Sequence, residues 1–313
     1  MPNGREWGVG RRASGVHPEP LAPPSAPTRM AAEGNDRGPG LASEAVPDSR
    51  LATPDSRFLW VVHLGRVPYG DALELQRAVA LARITGDVPQ DVLLLVEHPP
   101  VVTLGRSSKK RHLTASPELL AARGVELFEV ERGGDVTFHG PGQLVGYPII
   151  DLKRHKRDLH WYLRQVEEAL IVALGELGIA AGRDAGYTGV WVGEKGLGSG
   201  VWGLEGSPRP GTPDPRPSRK IASIGVHARD WVTWHGFALN VTTDLSYFGL
   251  IVPCGIAGVD MTSVARELGL GAGPIDAAQV ESAVARAFGR VFDLEPTTVP
   301  LDSLRVEPAA QGR

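Results

Sequence analysis

Three segments hold the residues whose types and spacing could do chemistry. The first runs from Arg132 through Gly133, Gly134, Asp135, Val136, Thr137, Phe138 and His139, then through Gly140-Pro-Gly-Gln143 to Tyr147. Its glycines let the backbone take positive φ or come close to a ligand. Arg132, Thr137, His139 and Gln143 stand among them. Polar side chains beside exposed backbone N–H groups are how a site holds a carbonyl or a phosphate. By composition alone, though, such a stretch reads as a turn. It carries no Gly-x-Gly-x-x-Gly after a strand and no Gly-Lys-Ser/Thr, so it is neither a dinucleotide fingerprint nor a P-loop. The second segment is Lys220-Ile-Ala-Ser-Ile-Gly225 and the third is Val252-Pro-Cys-Gly-Ile-Ala-Gly258. A lysine is ordinarily a solvated surface group. A lone cysteine is ordinarily a small buried hydrophobe, although between Pro and Gly in a loop it could be exposed.

Hydrophobic periodicity supplies the elements around these segments. Phe58–Leu64 reads as a strand and Tyr69–Ile84 as a helix. Asp91–Glu97 and Val101–Leu104 read as buried strands. Ser116-Pro117-Glu118 opens a helix that Gly124 stops, and Val125–Val130 is a strand. Asp158–Leu177 is the longest helix, ended by Gly178. Tyr187–Val192, Lys220–Val226 and Phe237–Val241 are strand candidates. Asp276-Ala-Ala-Gln279 resembles a capping box and opens a last helix to about Phe292. Strands and helices mix without a strict βαβ alternation. This predicts one mixed-sheet α/β domain over 58–301 and a tail over 302–313.

The composition excludes several classes. The 313-residue chain has a formal net charge of −3, which argues against a nucleic-acid or membrane partner. Its one cysteine rules out an internal disulfide and a multi-cysteine metal site, and suits a reducing cytoplasm. No apolar run long enough for a transmembrane helix occurs, and the first residues lack the apolar core of a secretory signal. Residues 1–57 hold nine prolines and seven glycines, too little apolar surface to offset the entropy of ordering, and read as a disordered leader. The seven acids there speak against a mitochondrial transit peptide, and Met30 is an alternative start. Residues 196–219, with six glycines and five prolines, read as a flexible surface insertion. His155 and His160 read as a solvated face at the start of the long helix.

Taken together and in this order, the three segments resemble the lipoyl/octanoyl transferases of lipoate synthesis. Arg132–Tyr147 fits that family's R-G-G-x-x-T-aromatic-H-x-x-G-Q-x-x-x-Y pattern without a gap. Lys220–Gly225 fits its K-I-A-small-I-G and Pro253–Ile256 its P-C-G-I. Supporting fits are Glu97-His-Pro99 leading to Thr103-Leu-Gly-Arg106, then Gly189-Val-Trp-Val192 and His235-Gly-Phe-Ala-Leu-Asn240. The resemblance spans roughly Phe58 to Phe292. It implies a domain of the biotin/lipoate-protein ligase catalytic fold. It also implies octanoyl transfer from octanoyl-acyl carrier protein to a lysine of a lipoyl-carrying protein, with no cofactor. The acceptors implied are the lipoyl domains of 2-oxoacid dehydrogenase acyltransferase subunits and the glycine cleavage H protein. Cys254 is then the acyl-accepting nucleophile and Lys220 its partner. The implied substrate-binding positions are Arg132–His139, Ser223, Ile224 and Gly225, and Gly236, Phe237 and Ala238. His139 is placed near the acyl carbonyl, and backbone N–H groups near Gly255 or Gly140 are candidates for the oxyanion.

Those roles agree with elementary chemistry. The thiolate, not the thiol of ordinary pKa ~8.5, is the nucleophile, and a neighbouring ammonium favours it. Thioester exchange is nearly isoenergetic and needs no ATP. Three other functions remain to be tested: an ATP-dependent lipoate- or biotin-protein ligase, a cysteine hydrolase using Cys254, His139 and an Asp such as Asp260, and an inactive module that only docks lipoyl domains.

Overall fold

The strand Asp91–Glu97 (β2) is buried from Asp91 to Val96, because helices cover both faces of the sheet it belongs to. Side chains alternate along it. Leu93 and Leu95 enter one core with the helices Leu159–Glu176 (α3) and Ala277–Phe292 (α5), while Val92, Leu94 and Val96 enter a second with the helix Tyr69–Thr85 (α1). Each fully buried side chain of this kind contributes about 1.5–3 kcal/mol. Asp158 caps α3 by accepting from the His160 and Trp161 N–H groups, and Asp276 caps α5 through the Ala278 N–H.

The computed structural model describes residues 57–184, 186–193, 218–256, 258–269 and 275–306. Most of the expected leader (1–56), of the expected insertion (196–217) and of the tail (307–313) lies outside the described residues. Arg219, at the end of the 196–219 stretch, and Leu304, beyond the 301 boundary, are both buried in the domain.

The remaining strands are Phe58–Arg66 (β1), Val101–Leu104 (β3), Glu126–Glu129 (β4), Val136–His139 (β5), Gln143–Ile149 (β6), Ala181–Gly182 (β7), Val190–Val192 (β8), Arg219–Arg229 (β9), Val232–Asn240 (β10), Asp260–Met261 (β11) and Glu295–Thr298 (β12). Among the described residues the large sheet runs β12-β1-β2-β6-β10-β9-β8-β7, with β11 beside β9. Pairing is parallel in β12-β1-β2 and β11-β9, and antiparallel from β2 to β7. The sheet is mixed, as expected. A second sheet, β4-β3-β5, packs with the short helix Pro117–Ala122 (α2), and the one-turn helix Val264–Glu267 (α4) follows β11.

Three local expectations change. The glycine-rich stretch after Arg132 is not a long turn. It is two buried strands in different sheets, β5 and β6, joined through Gly140–Gly142. The strand expected over Tyr187–Val192 shortens to Val190–Val192, because the chain turns at Gly189 (φ +131) and Thr188 presents its carbonyl inward. His155 is not a solvated residue. It is 13% exposed, donates Nε2–H to Asp91 at 3.0 Å and lies edge-on to Phe292, while His160 is exposed.

Candidate active site

The central strands β9 and β10 and the strand β5 of the smaller sheet line a cavity of about 360 Å³. Lys220 enters it from the start of β9. It pairs with Trp191 on one side and Met261 on the other, and is 1% exposed. A lysine of such low exposure needs compensating partners. Its Nζ donates to Thr188 O at 2.9 Å, lies 3.2 Å from Cys254 Sγ and sits 5.0 Å from the Trp191 ring centroid. Ser223 Oγ is 3.8 Å from the same sulfur.

The tight turn after Thr188 is what allows this approach. A Cβ at Gly189 would lie 2.7 Å from Lys220 Cε and 2.7 Å from Ala222 O. The Gly189 N–H is in turn held by Glu167 Oε1 at 3.1 Å, a carboxylate with no exposed surface that Arg164 and Arg183 neutralise. Gly189→Ala is therefore expected to push the lysine off the sulfur and cut turnover by about a hundredfold, a scale typical of a misplacement of about 1 Å. The unfolding midpoint should fall as well, because alanine is strained at φ +131 and its Cβ meets the Ala222 carbonyl; thermal melts measure that loss, and steady-state rates below the melt isolate the effect on the lysine.

Cys254 sits in a 3-10 turn, Pro253–Gly255, with φ 55 and ψ 18. That is the left-handed region, which L residues other than Gly rarely adopt. The N–H groups of Gly255 and Ile256 are spent inside the turn, on Val252 O and Pro253 O. Gly255 therefore does not offer the oxyanion donor that sequence reasoning considered for it.

Arg132 is an anchor more than a free cation. It donates to Thr103 O at 2.8 Å, to Thr103 Oγ1 at 2.9 Å and to Gly133 O at 3.0 Å. A Cβ at Gly105 would come within 2.7 Å of its Nη1, and one at Gly225 within 3.3 Å, so both glycines give room to the guanidinium. Arg132 Nε and Thr137 Oγ1 are buried without a hydrogen-bond partner among the described residues, and both residues line the cavity. Such groups are rare in folded proteins and mark a place where a polar ligand atom would be satisfied.

His139 is 7% exposed and lies flat against Tyr69, with ring centroids 5.9 Å apart. Gln143 uses its Nε2 as a donor to Phe138 O and Asn240 Oδ1, so its Oε1 accepts, and His139 Nδ1 carries the proton of their 2.9 Å bond. Burial, and then the nearby His98, push the His139 pKa down to about 3. The ring is thus neutral near pH 7, with Nε2 an acceptor. Among the described residues no hydrogen bond joins His139 to Cys254. Asp260 is half exposed on β11, 3.9 Å from Arg266. The hydrolase arrangement of Cys254, His139 and Asp260 therefore has no geometric basis.

The cavity wall holds Arg132, Gly134, Asp135, Val136, Thr137 and His139, together with Ser223, Ile224, Gly225, Gly236, Phe237 and Ala238. Two expected positions stand outside it. Phe138 points into the core below the small sheet, stacked on Tyr247 at 4.7 Å, as the alternation of β5 requires. Gly133 is held by its backbone, its N–H on Val226 O and its carbonyl under Arg132. Tyr69, Thr188 and His235 line the cavity without having been foreseen. His235 stands at the start of a quoted motif, but Tyr69 and Thr188 carry no local signal. No helix among the described residues is long and apolar enough to cross a membrane.

Comparison with known proteins is consistent with this geometry. A family model described as lipoyl protein ligase A/B catalytic domain matches residues 68–289. An octanoyltransferase of Koribacter versatilis is 48% identical over 237 residues, 75% of this chain and 84% of that protein. One of Solibacter usitatus is 48% identical over 74% of this chain and 92% of that protein. For that of Myxococcus xanthus the figures are 47% identity and 77% of this chain, but only 61% of the relative's length. Among solved structures, lipoate-protein ligase A bound with ATP gives a TM-score of 0.61 at 16% identity, covering 79% of this chain and 92% of that one. A putative lipoate protein ligase of T. acidophilum with bound lipoic acid gives 0.59 at 16% identity, with the same coverage. At such identity the structures establish the shared fold alone. The family model and the relatives establish more: this chain belongs to the lipoyl/octanoyl transferase family, acyltransferases built on the lipoyl protein ligase A/B catalytic domain.

Proposed function

We propose that this protein moves an octanoyl group from octanoyl-acyl carrier protein to a lysine of a lipoyl domain, through a thioester on Cys254. The single observation that carries this reading is the 3.2 Å approach of Lys220 Nζ to Cys254 Sγ at the wall of a 360 Å³ cavity. The Cys254 thiolate attacks the donor's thioester carbonyl. A tetrahedral intermediate forms and collapses, and the carrier's thiolate leaves with a proton from the Lys220 ammonium, which becomes a neutral amine. The acceptor lysine's amine then attacks the enzyme thioester and expels Cys254, and the proton it loses passes to Lys220 or to the departing thiolate. An ammonium has three donors. Thr188 O and Cys254 Sγ occupy two, and the third serves the oxyanion of the first step. Burying the acyl chain contributes about 0.8 kcal/mol per CH₂, so a cavity of fixed depth selects chain length. The acceptors are the lipoyl domains of 2-oxoacid dehydrogenases and the glycine cleavage H protein, and the setting is the cytoplasm.

Intact-mass spectrometry of the full chain after incubation with octanoyl-acyl carrier protein tests this. The expected result is one octanoyl adduct on Cys254 that disappears as an added lipoyl domain gains it, with no ATP present. An acceptor that becomes octanoylated while the enzyme never carries the adduct, in rapid-quench samples, would overturn the covalent route. Strict dependence on ATP would instead favour the ligase reaction.

A further inference from the structure

The turn that carries Cys254 is strained, and something must hold it. A left-handed conformation at a non-glycine residue persists only where its surroundings over-determine it. The neighbours that do so come from two places in the chain that no motif joins. The first is the short 3-10 turn Lys110–His112: the Val252 N–H, just before the nucleophile's turn, donates to His112 O at 2.7 Å. The second is Asp135 in the glycine-rich segment. Its Oδ2 takes the His112 Nδ1–H at 2.6 Å, and its Oδ1 takes the Val136 N–H at 2.8 Å. The tautomer follows from the partners, because His112 Nε2 faces the Arg111 Nε–H donor at 3.4 Å.

Gly255, the residue after the nucleophile, rests directly on this pair. A Cβ there would lie 2.5 Å from Asp135 Oδ2 and 3.0 Å from both His112 Nδ1 and Cε1. The His112 and Asp135 side chains are only 11% and 10% exposed. Asp135 lines the cavity, and the family resemblance marks its segment as substrate-binding. Yet both of its oxygens already have partners inside the protein, and its carboxylate abuts the nucleophile's turn.

We propose that His112 and Asp135 form a positioning couple. Through Val252 on one side and Gly255 on the other, they lock the Pro253–Gly255 turn so that Cys254 Sγ stays on Lys220 Nζ. Neither residue touches the sulfur, and neither exchanges a proton with substrate. With the couple broken, the turn relaxes out of the left-handed region, the sulfur leaves the ammonium, and the thiol loses its electrostatic partner. The proposal rests on Cys254 being the reactive thiol. Its test is chosen so that the two ideas fail separately.

Cys254 is the only cysteine, so alkylation of the intact chain by iodoacetamide reports on it alone and needs no acyl donor. His112→Ala is expected to slow alkylation at pH 7 about tenfold and to move the pH profile up by about one unit, the two being equivalent. His112→Asn, whose amide nitrogen can stand where Nδ1 stood, is expected to recover most of the rate. Asp135→Ala should act like His112→Ala. The double variant His112→Ala/Asp135→Ala should be no slower than the worse single one, because both remove one interaction. In octanoyl transfer, kcat should fall with KM for the octanoyl donor unchanged. An unmoved alkylation profile in His112→Ala, or single effects that multiply in the double variant, would overturn the couple. If His112→Ala does not fold, Asp135→Ala against His112→Asn carries the same decision. A wild type that never takes up octanoyl would defeat the functional reading and leave the alkylation result standing.

Discussion

Cys254→Ala is expected to carry no octanoyl adduct and to transfer octanoyl to a lipoyl domain about a thousandfold more slowly than the wild type, the scale on which enzymes lose a covalent nucleophile. The chain has no second thiol that could substitute. The cavity wall is otherwise intact in this variant, and the acyl chain keeps its apolar contacts. The loss therefore belongs in kcat, with the donor's affinity nearly unchanged. Cys254→Ser should be almost as slow, because a hydroxyl is far harder to ionise than a thiol and one ammonium at about 3 Å cannot make up the difference. Any octanoyl ester that the introduced hydroxyl does form should accumulate, since an alkoxide is a poorer leaving group than a thiolate. Intact mass and a gel-shift assay of the acceptor measure both outcomes. An alanine variant retaining more than a tenth of wild-type transfer would mean that the acceptor amine attacks the donor directly.

The two halves of this pair are 34 residues apart in sequence, and no periodicity links them. Their meeting follows from topology. Lys220 opens β9, and β11 pairs with β9 in parallel at Lys220 and Met261, so the chain that leaves the nucleophile's turn returns beside the lysine's strand. What could be read beforehand is what is local: the buried run of β2, the long helix from Asp158, the Asp276 cap, and the glycine, Cys and Lys motifs. What could not be read depends on contacts distant in sequence. β11 and β7 have two residues each, and β12 contains a proline, so none shows a period of its own. Glu167 looks like any residue of an amphipathic helix until its carboxylate is found on Gly189 N. His112 follows three exposed basic residues and reads as surface, yet its ring lies under the nucleophile's turn. Phe138 shows the converse error. Its place inside a motif suggested the site, but strand alternation turns its side chain away from the cavity that Thr137 and His139 line.

Lys220→Ala is expected to be nearly as damaging as loss of the sulfur, and in a manner that pH can dissect. Two unit charges about 4 Å apart attract by about 4 kcal/mol at an effective dielectric of ~20. Part of this is offset by the cost of keeping an ammonium away from water. Loss of the neighbouring ammonium removes a group that favours the thiolate, so alkylation of Cys254 at pH 7 should slow in the variant. Raising the pH should therefore restore alkylation. It should not restore octanoyl transfer to the same extent, because the second step also loses the group that receives the amine's proton. Transfer at pH 7 should fall about a thousandfold, with the deficit at about pH 9.5 still near a hundredfold. Lys220→Arg should rescue poorly. The Nζ site is bounded by Thr188 O at 2.9 Å, by the sulfur at 3.2 Å and by the Trp191 ring, and a planar guanidinium does not fit where a compact ammonium does. An alkylation profile identical to that of the wild type would remove Lys220 from activation of the thiol. If transfer nevertheless fell, its place would be confined to the second step, as the base for the incoming amine.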